Sequence, residues 1–249
     1  MPNESQPAAP RCWEPFPADR KPTITAHAGA EGTEPNSRRS FEEALARGVD
    51  YLEADVRFAP DGSAYLSHDE LAPAERARAM GLEELLRLVA RAGADGTAPR
   101  LNLDLKEFSS IDALSELIFG LGMESRVLLT GVRIESVPAV RAGCRGLPYF
   151  LNASPGPLER MTRRGAEAFA RRIRGCGAVG LNANWRFVTR TVARALAGAG
   201  LALSVWTVDD DAGMRRFLGL GADNITTRFP KPLAALRDAA GRGPVKGAA

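Results

Sequence analysis

Residues 51–69 read YLEADVRFAPDGSAYLSHD and carry the strongest fold signal in the chain. Two strand-like runs, Tyr51–Phe58 and Ser63–Ser67, are separated by a short turn with the sequence Ala-Pro-Asp-Gly. A turn of about four residues can join antiparallel strands, but it is too short for a parallel crossover. The sequence therefore predicts a β-hairpin, and folding back about its turn puts His68 beside Glu53 and Asp55.

The remainder of the chain alternates between strand-like and helical patterns. The other predicted strands are Thr23–Ala26, Leu101–Leu105, Val127–Thr130, Tyr149–Leu151, Val179–Asn182, Leu203–Thr207 and Asn224–Thr226. Helical patterns lie between them, for example at Ser40–Arg47, Gly81–Arg91, Ile111–Phe119, Val188–Ala197 and Asp211–Leu218. About eight strand–helix units favour an α/β fold of the (β/α)8 TIM-barrel type. An open doubly wound sheet would more often carry a GxGxxG turn after its first strand, and the run from His27 to Gly32 lacks that order.

Composition narrows the class of protein. The chain has 249 residues, of which 45% are hydrophobic and 25% charged, so it can bury a large core. No apolar run approaches the roughly 18 residues that suggest a membrane span. The net charge is +3, which does not indicate nucleic-acid binding. Three widely spaced cysteines, Cys12, Cys144 and Cys176, argue against a disulfide framework and fit a reducing cytoplasm, so we expect a cytoplasmic protein.

The two ends of the chain differ in composition from its middle. Residues 1–22 carry six of the 17 prolines and lack the charged-then-apolar pattern of a secretory signal. Residues 239–249 are rich in Gly and Ala. We therefore predict an N-terminal arm at 1–22, a single barrel domain at 23–238 and a flexible tail at 239–249. The sequence does not indicate an oligomeric state.

Glu53 and Asp55 are the first candidates for a functional site. They lie two residues apart on one predicted strand, so their side chains project from the same face. In a barrel that face is the interior, near the C-terminal ends of the strands, which we call the mouth. Two carboxylates there repel each other unless a cation lies between them, and Mg²⁺ and Ca²⁺ prefer oxygen ligands. The alternative is that both are strand-end charges paired with arginines.

A second polar strand extends this site. The run Leu101–Lys106 alternates apolar and polar residues, and its leucines suit the outward face beneath the helices. Asn102, Asp104 and Lys106 then point inward, so Asp104 completes a carboxylate triad and Lys106 suits an anionic substrate. The alternative is a buried Asp104–Lys106 polar layer that binds no ligand.

The chain contains only two histidines, His27 and His68. His27 follows the first predicted strand and His68 follows the hairpin, so both lie at the predicted mouth with the three carboxylates. Imidazole can accept or donate a proton near neutral pH. The pair therefore predicts acid–base catalysis, in which one ring takes a proton from a nucleophile and the other protonates a leaving oxygen.

Several short motifs occur in a recognisable order. They are His27-Ala28-Gly29, Pro35-Asn36-Ser37 with Phe41, Glu53-Ala54-Asp55, Asp61-Gly62, His68-Asp69, Asp104-Leu105-Lys106, Val205-Trp206-Thr207-Val208-Asp209 and Ala222-Asp223-Asn224-Ile225-Thr226-Thr227. In this order and spacing they resemble the glycerophosphodiester phosphodiesterase family, whose members are metal-dependent TIM-type barrels. The corresponding family motifs are His-Arg-Gly, Glu-Asn-Thr with Phe, Glu-x-Asp, Asp-Gly, His-Asp, Glu-x-Lys, Trp-Thr-Val-Asn and a closing strand.

The resemblance implies metal-dependent hydrolysis of a glycerophosphodiester, or a related small phosphodiester, to a phosphomonoester such as glycerol 3-phosphate and an alcohol. It implies Glu53, Asp55 and Asp104 as ligands of a divalent cation, which would be Mg²⁺, Ca²⁺ or Mn²⁺. His27 and His68 would be the general base and acid. Lys106 would stabilise charge on the phosphoryl oxygens. Beside what the resemblance implies, we expect Asn36, Trp206 and Arg228 to bind the substrate. Trp206 could stack on a glycerol or sugar, or it could be an aromatic residue of the barrel core.

Four features depart from the family pattern. Ala28 replaces the arginine expected to grip the phosphate, Asp104 replaces a Glu, and Arg228 stands where the family usually has Asp. The stretch after His68-Asp69 is short, which predicts an open mouth. Arg228 could supply part of the missing positive charge. Two alternatives therefore stay open: a catalytically degenerate barrel that binds a phosphorylated ligand, and a lyase or transesterification variant of the same site.

Overall fold

The computed structural model describes residues 21–92, 99–144, 146–153 and 158–239. The strands are β1 (Thr23–Ala26), β2 (Tyr51–Phe58), β3 (Ala64–Leu66), β4 (Arg100–Leu105), β5 (Val127–Val132), β6 (Tyr149–Asn152), β7 (Gly180–Asn184), β8 (Ala202–Trp206) and β9 (Asn224–Thr227). The α-helices with defined bounds are α1 (Arg38–Leu45), α2 (Pro73–Arg76), α3 (Leu82–Arg91), α4 (Ile111–Gly120), α5 (Val137–Gly143), α6 (Arg163–Gly175), α7 (Arg190–Gly198), α8 (Asp211–Leu220) and α9 (Pro230–Ala239).

Parallel pairing closes the strands into a barrel. In the described part of the chain, β2 pairs with β4, the strands from β4 to β9 pair in chain order, and β1 pairs with both β9 and β2. The eight parallel strands of this ring alternate with helices, so the predicted (β/α)8 TIM barrel is confirmed. The pairing of Thr25 with Tyr51 on one side and with Thr226 on the other closes the ring at β1.

The hairpin after the second barrel strand is also confirmed. β3 runs antiparallel to β2, with Arg57 opposite Tyr65. Gly62 has a φ of 86°, which favours glycine, and its N–H donates to Ala59 O at 2.9 Å. Asp61 Oδ1 accepts hydrogen bonds from the Ser63 backbone N–H at 2.9 Å and from its hydroxyl at 2.7 Å. The Pro-Asp-Gly sequence therefore forms the tight turn that its residues favour.

The barrel has an apolar lower interior and a polar upper one. Leu101, Leu103 and Leu105 of β4 lie in the buried core, on the face that alternates with the polar residues of the strand. Near the N-terminal ends of their strands, Tyr51 and Phe150 form a separate buried cluster with Leu128. These side chains fill the base of the barrel.

The element bounds differ from the sequence-based expectations by about one or two residues, as helix and strand ends usually do. The structure adds α5, α6 and α9, and it places the one-turn helix α2 within the short stretch after His68-Asp69. Of the predicted terminal segments, only residues 21–22 and 239 lie within the described residues, so the domain limits stay predictions. None of the described helices is long and apolar enough to cross a bilayer.

Candidate active site

Three carboxylates meet at the mouth. Glu53 and Asp55 project from β2, and Asp104 lies opposite Asp55 in the register of β4. One oxygen from each residue lies within 4.8 Å of the others. Glu53 and Asp55 are buried, and Asp104 is half-buried. The structure therefore brings together the three residues that the strand periodicity selected as a candidate metal site.

Lys106 lies among these carboxylates. Its Nζ is 2.7 Å from Asp55 Oδ1 and 2.5 Å from Asp104 Oδ2. Burial alone would lower the pKa of Lys106, but the charges of Asp104 and Asp55 outweigh burial and raise its pKa above the ordinary value. Lys106 therefore stays protonated. It also forms the ion pair with Asp104 that the strand alternation predicted.

The raised pKa of Glu53 indicates that an additional positive charge would stabilise the three ionised carboxylates. Burial raises the pKa of Glu53 well above its ordinary value, and the charges of Asp55 and Asp104 raise it further. The Ala28 N–H donates to Glu53 Oε2 at 2.8 Å, which opposes these effects. Oxygen donors that repel one another in a buried site are the ligand set that hard divalent cations prefer. The residues therefore fit a divalent cation, and the carboxylate cluster could bind one.

Asn36 and Thr130 orient two of the carboxylates. Asn36 Nδ2 donates to Asp55 Oδ2 at 2.8 Å, and the Asp55 N–H donates to Asn36 Oδ1 at 3.0 Å. The Thr130 hydroxyl lies 2.8 Å from Asp104 Oδ1 and also 2.8 Å from Asn102 Oδ1. Sequence reasoning selected Asn36 as a substrate contact and did not select Thr130. The structure places Asn36 against Asp55, an arrangement that depends on the loop before α1 and has no local sequence signal.

His27 lies beside the carboxylate cluster. Its Nδ1 is 2.7 Å from Ala28 O and 3.9 Å from Glu53 Oε2. A carbonyl oxygen only accepts, so the neutral ring carries its proton on Nδ1 and keeps a lone pair on Nε2. Burial lowers the pKa of His27; the Ala28 hydrogen bond raises it by a smaller amount, and the Arg228 charge lowers it further. The His27 ring is therefore mostly neutral at pH 7 and can accept a proton at Nε2.

The hairpin brings His68 to the rim of the mouth. The Ser67 N–H donates to Asp55 O at 3.1 Å, so the predicted proximity to β2 is present in the backbone. Arg57 donates to His68 O from Nε at 3.1 Å and from Nη2 at 3.0 Å. The His68 ring contacts Asp69, with Nδ1 2.9 Å from Oδ1, and its side chain is 69% exposed. In the described chain, no hydrogen bond or ion pair joins this ring to the carboxylates.

Arg228 lies on the other side of His27, immediately after β9. The His27 N–H donates to Thr227 O at 2.9 Å, which joins the ends of the first and last strands. Arg228 Nη1 donates to Asp209 Oδ2 at 2.7 Å, and the Arg228 N–H donates to Asp209 Oδ1 at 2.8 Å. Asp209 was not selected from the sequence, although its place at the end of the Trp-Thr-Val motif was a usable signal.

Two buried polar atoms on neighbouring strands have no partner in the described residues. One is Trp206 Nε1 on β8, and the other is Asn182 Oδ1 on β7. The Asn182 amide Nδ2 donates to Asn152 Oδ1 at 3.3 Å, so the Asn182 side chain lies in the barrel interior. Trp206 is half-buried at the mouth end of its strand. Its indole N–H is therefore a donor with remaining capacity.

The chain is similar to proteins of one family. A family model described as the glycerophosphoryl diester phosphodiesterase family matches residues 27–130. A relative from Mycobacterium tuberculosis, named "Probable glycerophosphodiester phosphodiesterase 2", is 29% identical over 221 residues, which are 77% of this chain and 81% of the relative.

Solved structures share the fold at lower identity. A glycerophosphodiester phosphodiesterase from Parabacteroides distasonis has a TM-score of 0.70 and 17% identity, covering 88% of this chain and 98% of the other. A phosphodiesterase from Oleispira antarctica, in complex with the product sn-glycerol-3-phosphate, has a TM-score of 0.70 and 18% identity, covering 88% of this chain and 97% of the other. These two likenesses show the barrel fold.

The family match begins at His27 and ends at Thr130. It therefore spans both histidines, the three carboxylates and Lys106. The Mycobacterium tuberculosis relative extends the similarity over most of both chains. These matches show that the chain is similar to the glycerophosphoryl diester phosphodiesterase family.

Proposed function

We propose that the barrel hydrolyses a small phosphodiester of the glycerophosphodiester type to a phosphomonoester and an alcohol. The observation that carries the proposal is the convergence of Glu53, Asp55 and Asp104 within 4.8 Å, next to His27 and Lys106. The name of the Mycobacterium tuberculosis relative and the product bound to the Oleispira antarctica enzyme support this substrate class.

Glu53, Asp55 and Asp104 would hold the divalent cation, and Mg²⁺, Ca²⁺ and Mn²⁺ all suit carboxylate ligands. When bound, such a cation polarises a phosphoryl oxygen and neutralises the charge that develops there. The Nδ2 and the Oδ1 of Asn36 both form hydrogen bonds with Asp55, and the Thr130 hydroxyl contacts Asp104. These contacts favour a positioning role for Asn36, and its direct contact with substrate stays a prediction.

His27 is proposed as the general base. Ala28 O fixes the Nδ1 proton, so the Nε2 lone pair is free to accept a proton from the attacking water. Burial keeps the pKa of His27 below its ordinary value of 6.5, so the ring is mostly neutral at pH 7 and can act as a base. Its Nδ1 lies 3.9 Å from Glu53 Oε2, so the base is next to the proposed cation site.

His68 is proposed as the general acid. It follows the β2–β3 hairpin. Arg57 donates to its backbone carbonyl, and Asp69 contacts its ring. A solvent-exposed imidazole at the rim can give a proton to a departing alkoxide and regain one from water. This division of roles assigns proton uptake to the half-buried histidine and proton delivery to the exposed one.

Lys106 and Trp206 are proposed to bind the substrate. Lys106 keeps its proton beside Asp55 and Asp104, so its ammonium group can stabilise charge on the phosphoryl oxygens. Trp206 offers a buried Nε1 donor without a partner in the described region and a ring that could stack on the apolar face of glycerol. Together they would hold the phosphoryl group and the glycerol near the two histidines.

The test is a screen of glycerophosphodiesters after EDTA treatment, with Mg²⁺, Ca²⁺ or Mn²⁺ restored and the products identified by ³¹P NMR. We expect metal-dependent release of a phosphomonoester, and a loss of kcat of about 10²-fold or more in His27→Ala. The control is Glu83→Gln, which removes an exposed carboxylate of α3 that pairs with Arg87.

Each other outcome contradicts a specific part of the proposal. Binding without turnover under all three metals would indicate the degenerate barrel. A cyclic phosphodiester as the final product would indicate the transesterification variant. Full activity in His27→Ala would remove the histidine mechanism even if hydrolysis were observed.

A further inference from the structure

Position 28 contributes no positive charge to the site. Ala28 is 2% exposed, and its N–H donates to Glu53. The nearest cation on the strands that carry the carboxylates, Lys106, already contacts Asp55 and Asp104. The charge of Lys106 is therefore shared with two carboxylates, and bidentate recognition of phosphate-ester oxygens would favour an additional arginine.

Arg228 is a candidate for such an arginine. The Glu31 N–H donates to Arg228 O at 2.9 Å, and the His27 N–H donates to the preceding carbonyl, Thr227 O, at 2.9 Å. The Arg228 backbone is thereby fixed between the loop after β1 and the end of β9. Its side chain is 49% exposed, so the guanidinium group is open to a ligand at the end of the barrel where the His27 backbone joins β9.

Asp209 fixes the guanidinium group. Its Oδ2 accepts from Arg228 Nη1 at 2.7 Å, while its Oδ1 accepts from the Arg228 N–H at 2.8 Å and from the Thr227 hydroxyl at 3.3 Å. Across the described residues, no hydrogen bond uses Arg228 Nε or Nη2. The arginine is therefore held at one nitrogen and keeps other donors for an oxyanion. A held side chain loses less rotamer freedom on binding than a mobile one does.

We propose that Arg228 is the clamp for the phosphoryl oxygens, in place of an arginine at position 28, and that Asp209 is the positioning residue that holds it. The inference rests on the proposed function for its ligand class, a phosphate ester. It goes further in naming the group that grips the anion and the residue that orients that group.

The test is calorimetric titration of sn-glycerol 3-phosphate into the metal-loaded protein. Loss of the clamp in Arg228→Gln should weaken binding by about tenfold to 100-fold, and Arg228→Lys should recover only part of it, because an ammonium group lacks the bidentate fork. Asp209→Asn is the decisive variant. It removes a negative charge near an anion site, which by charge alone would strengthen binding, whereas a positioning role predicts weaker binding.

Further variants separate positioning from general electrostatics. In an Arg228→Gln background, Asp209→Asn should weaken binding no further, because the residue it positions is already absent. The matched control is the exposed pair Arg215–Asp211 of α8, whose Arg215→Gln and Asp211→Asn variants should bind as the wild type does. Circular dichroism and thermal melting would confirm that each variant is folded.

Three results would overturn the clamp. They are unchanged binding in Arg228→Gln, tighter binding in Asp209→Asn, and the same loss of affinity in the control pair. Because the readout is binding, it remains informative if turnover is absent: an intact pattern of affinities without hydrolysis would reject the proposed reaction and keep the clamp. Failure of the wild type to bind sn-glycerol 3-phosphate would reject the clamp together with its ligand class.

Discussion

His27 owes its proposed chemistry to its immediate neighbours. Ala28 O binds the Nδ1 proton, so the free lone pair lies on Nε2. Burial and the Arg228 charge disfavour the protonated ring, while Asp55 and Asp209 favour it by smaller amounts. A bound divalent cation would also disfavour a second positive charge nearby. The Ala28 hydrogen bond favours the protonated ring, but burial outweighs it, so the pKa of His27 is lowered and the ring is mostly neutral at pH 7.

The neutral state of His27 predicts the pH dependence of the reaction. The pKa of His27 is lowered from 6.5, so the acid limb of kcat/KM should have its midpoint below pH 6.5, where the base becomes protonated. Arg228→Gln should move this acid limb to higher pH, because removal of a neighbouring positive charge raises the pKa of the ring. The measurement is a pH–rate profile with a soluble phosphodiester. An acid limb above pH 6.5 in the wild type would contradict this assignment.

At the scale of elements, His68 follows the β2–β3 hairpin, and Arg57 contacts its backbone. Arg57 donates to His68 O from two nitrogens, at 3.1 and 3.0 Å. The other edge of β3 is covered, because the Leu66 N–H donates to Met80 O at 2.9 Å. The hairpin is therefore held along the outer edge of β3, and the Arg57 contact holds the backbone of His68.

Removal of the Arg57 contact should reduce catalysis more than stability. We expect Arg57→Ala to lower kcat by about tenfold or more, because a misplaced general acid transfers its proton less efficiently. Metal affinity should be unchanged. The matched control is Arg126→Ala, since Arg126 Nη2 donates to Val89 O at 3.0 Å and to Pro99 O at 3.1 Å, next to the N-terminal end of β4. The control should lower the melting temperature and leave kcat near the wild-type value; equal kcat in both variants would contradict a role for Arg57.

The elements also show how far the sequence could predict the structure. Period-two alternation was sufficient for β4, because its leucines face the helices and its polar residues face the interior. The apolar pattern of α6 is weaker, because its buried face consists of Ala166, Ala170 and Ile173, and small side chains give a weak helical signal. The bounds of the hairpin were found because Pro-Asp-Gly specifies a turn locally.

The candidate site was predictable where one strand supplies neighbouring residues. Glu53 and Asp55 share a face of β2, so their proximity follows from strand geometry. The contact between Asn36 and Asp55 depends instead on the loop before α1, and the pair of Asp209 with Arg228 depends on two loops that meet only in the folded barrel. Such contacts are tertiary and have no local periodicity.

At the scale of the whole molecule, ring closure brings distant residues to one end of the barrel. β1 pairs with β9, so the Thr25 hydroxyl donates to Asn224 Oδ1 at 2.8 Å across 199 positions of sequence. The same closure sets His27 beside Thr227 and Arg228. The apolar cluster of Tyr51, Leu128 and Phe150 fills the other end of the interior. The fold therefore concentrates its buried charge at the mouth, and the stability of the whole barrel depends on how that charge is neutralised.

The carboxylate cluster predicts that metal-free barrel stability depends on the protonation of Glu53. Burial and two neighbouring carboxylates raise the pKa of Glu53 above its unfolded value of about 4.3, so the folded state binds this proton more tightly than the unfolded state does. The contribution of Glu53 to the free energy of unfolding should be greatest below about pH 4.3 and should decrease as the pH rises towards the raised pKa. Wild type minus Glu53→Gln isolates that contribution from other titrating groups.

A divalent cation should reverse this loss at neutral pH. At 100 times its Kd, a cation bound only to the folded state stabilises it by about 2.7 kcal/mol, and Glu53→Gln should lose most of that gain because it removes one ligand charge. Urea unfolding at several pH values, with and without Ca²⁺ or Mg²⁺, measures both effects, with Glu83→Gln as the exposed control. A pH-independent difference between wild type and Glu53→Gln would contradict the raised pKa of Glu53. Equal stabilisation of both by the cation would show that Glu53 does not bind it. If the difference in unfolding free energy between wild type and Glu53→Gln depends on pH and the cation removes that dependence, the stability of the barrel depends on cation binding at its mouth.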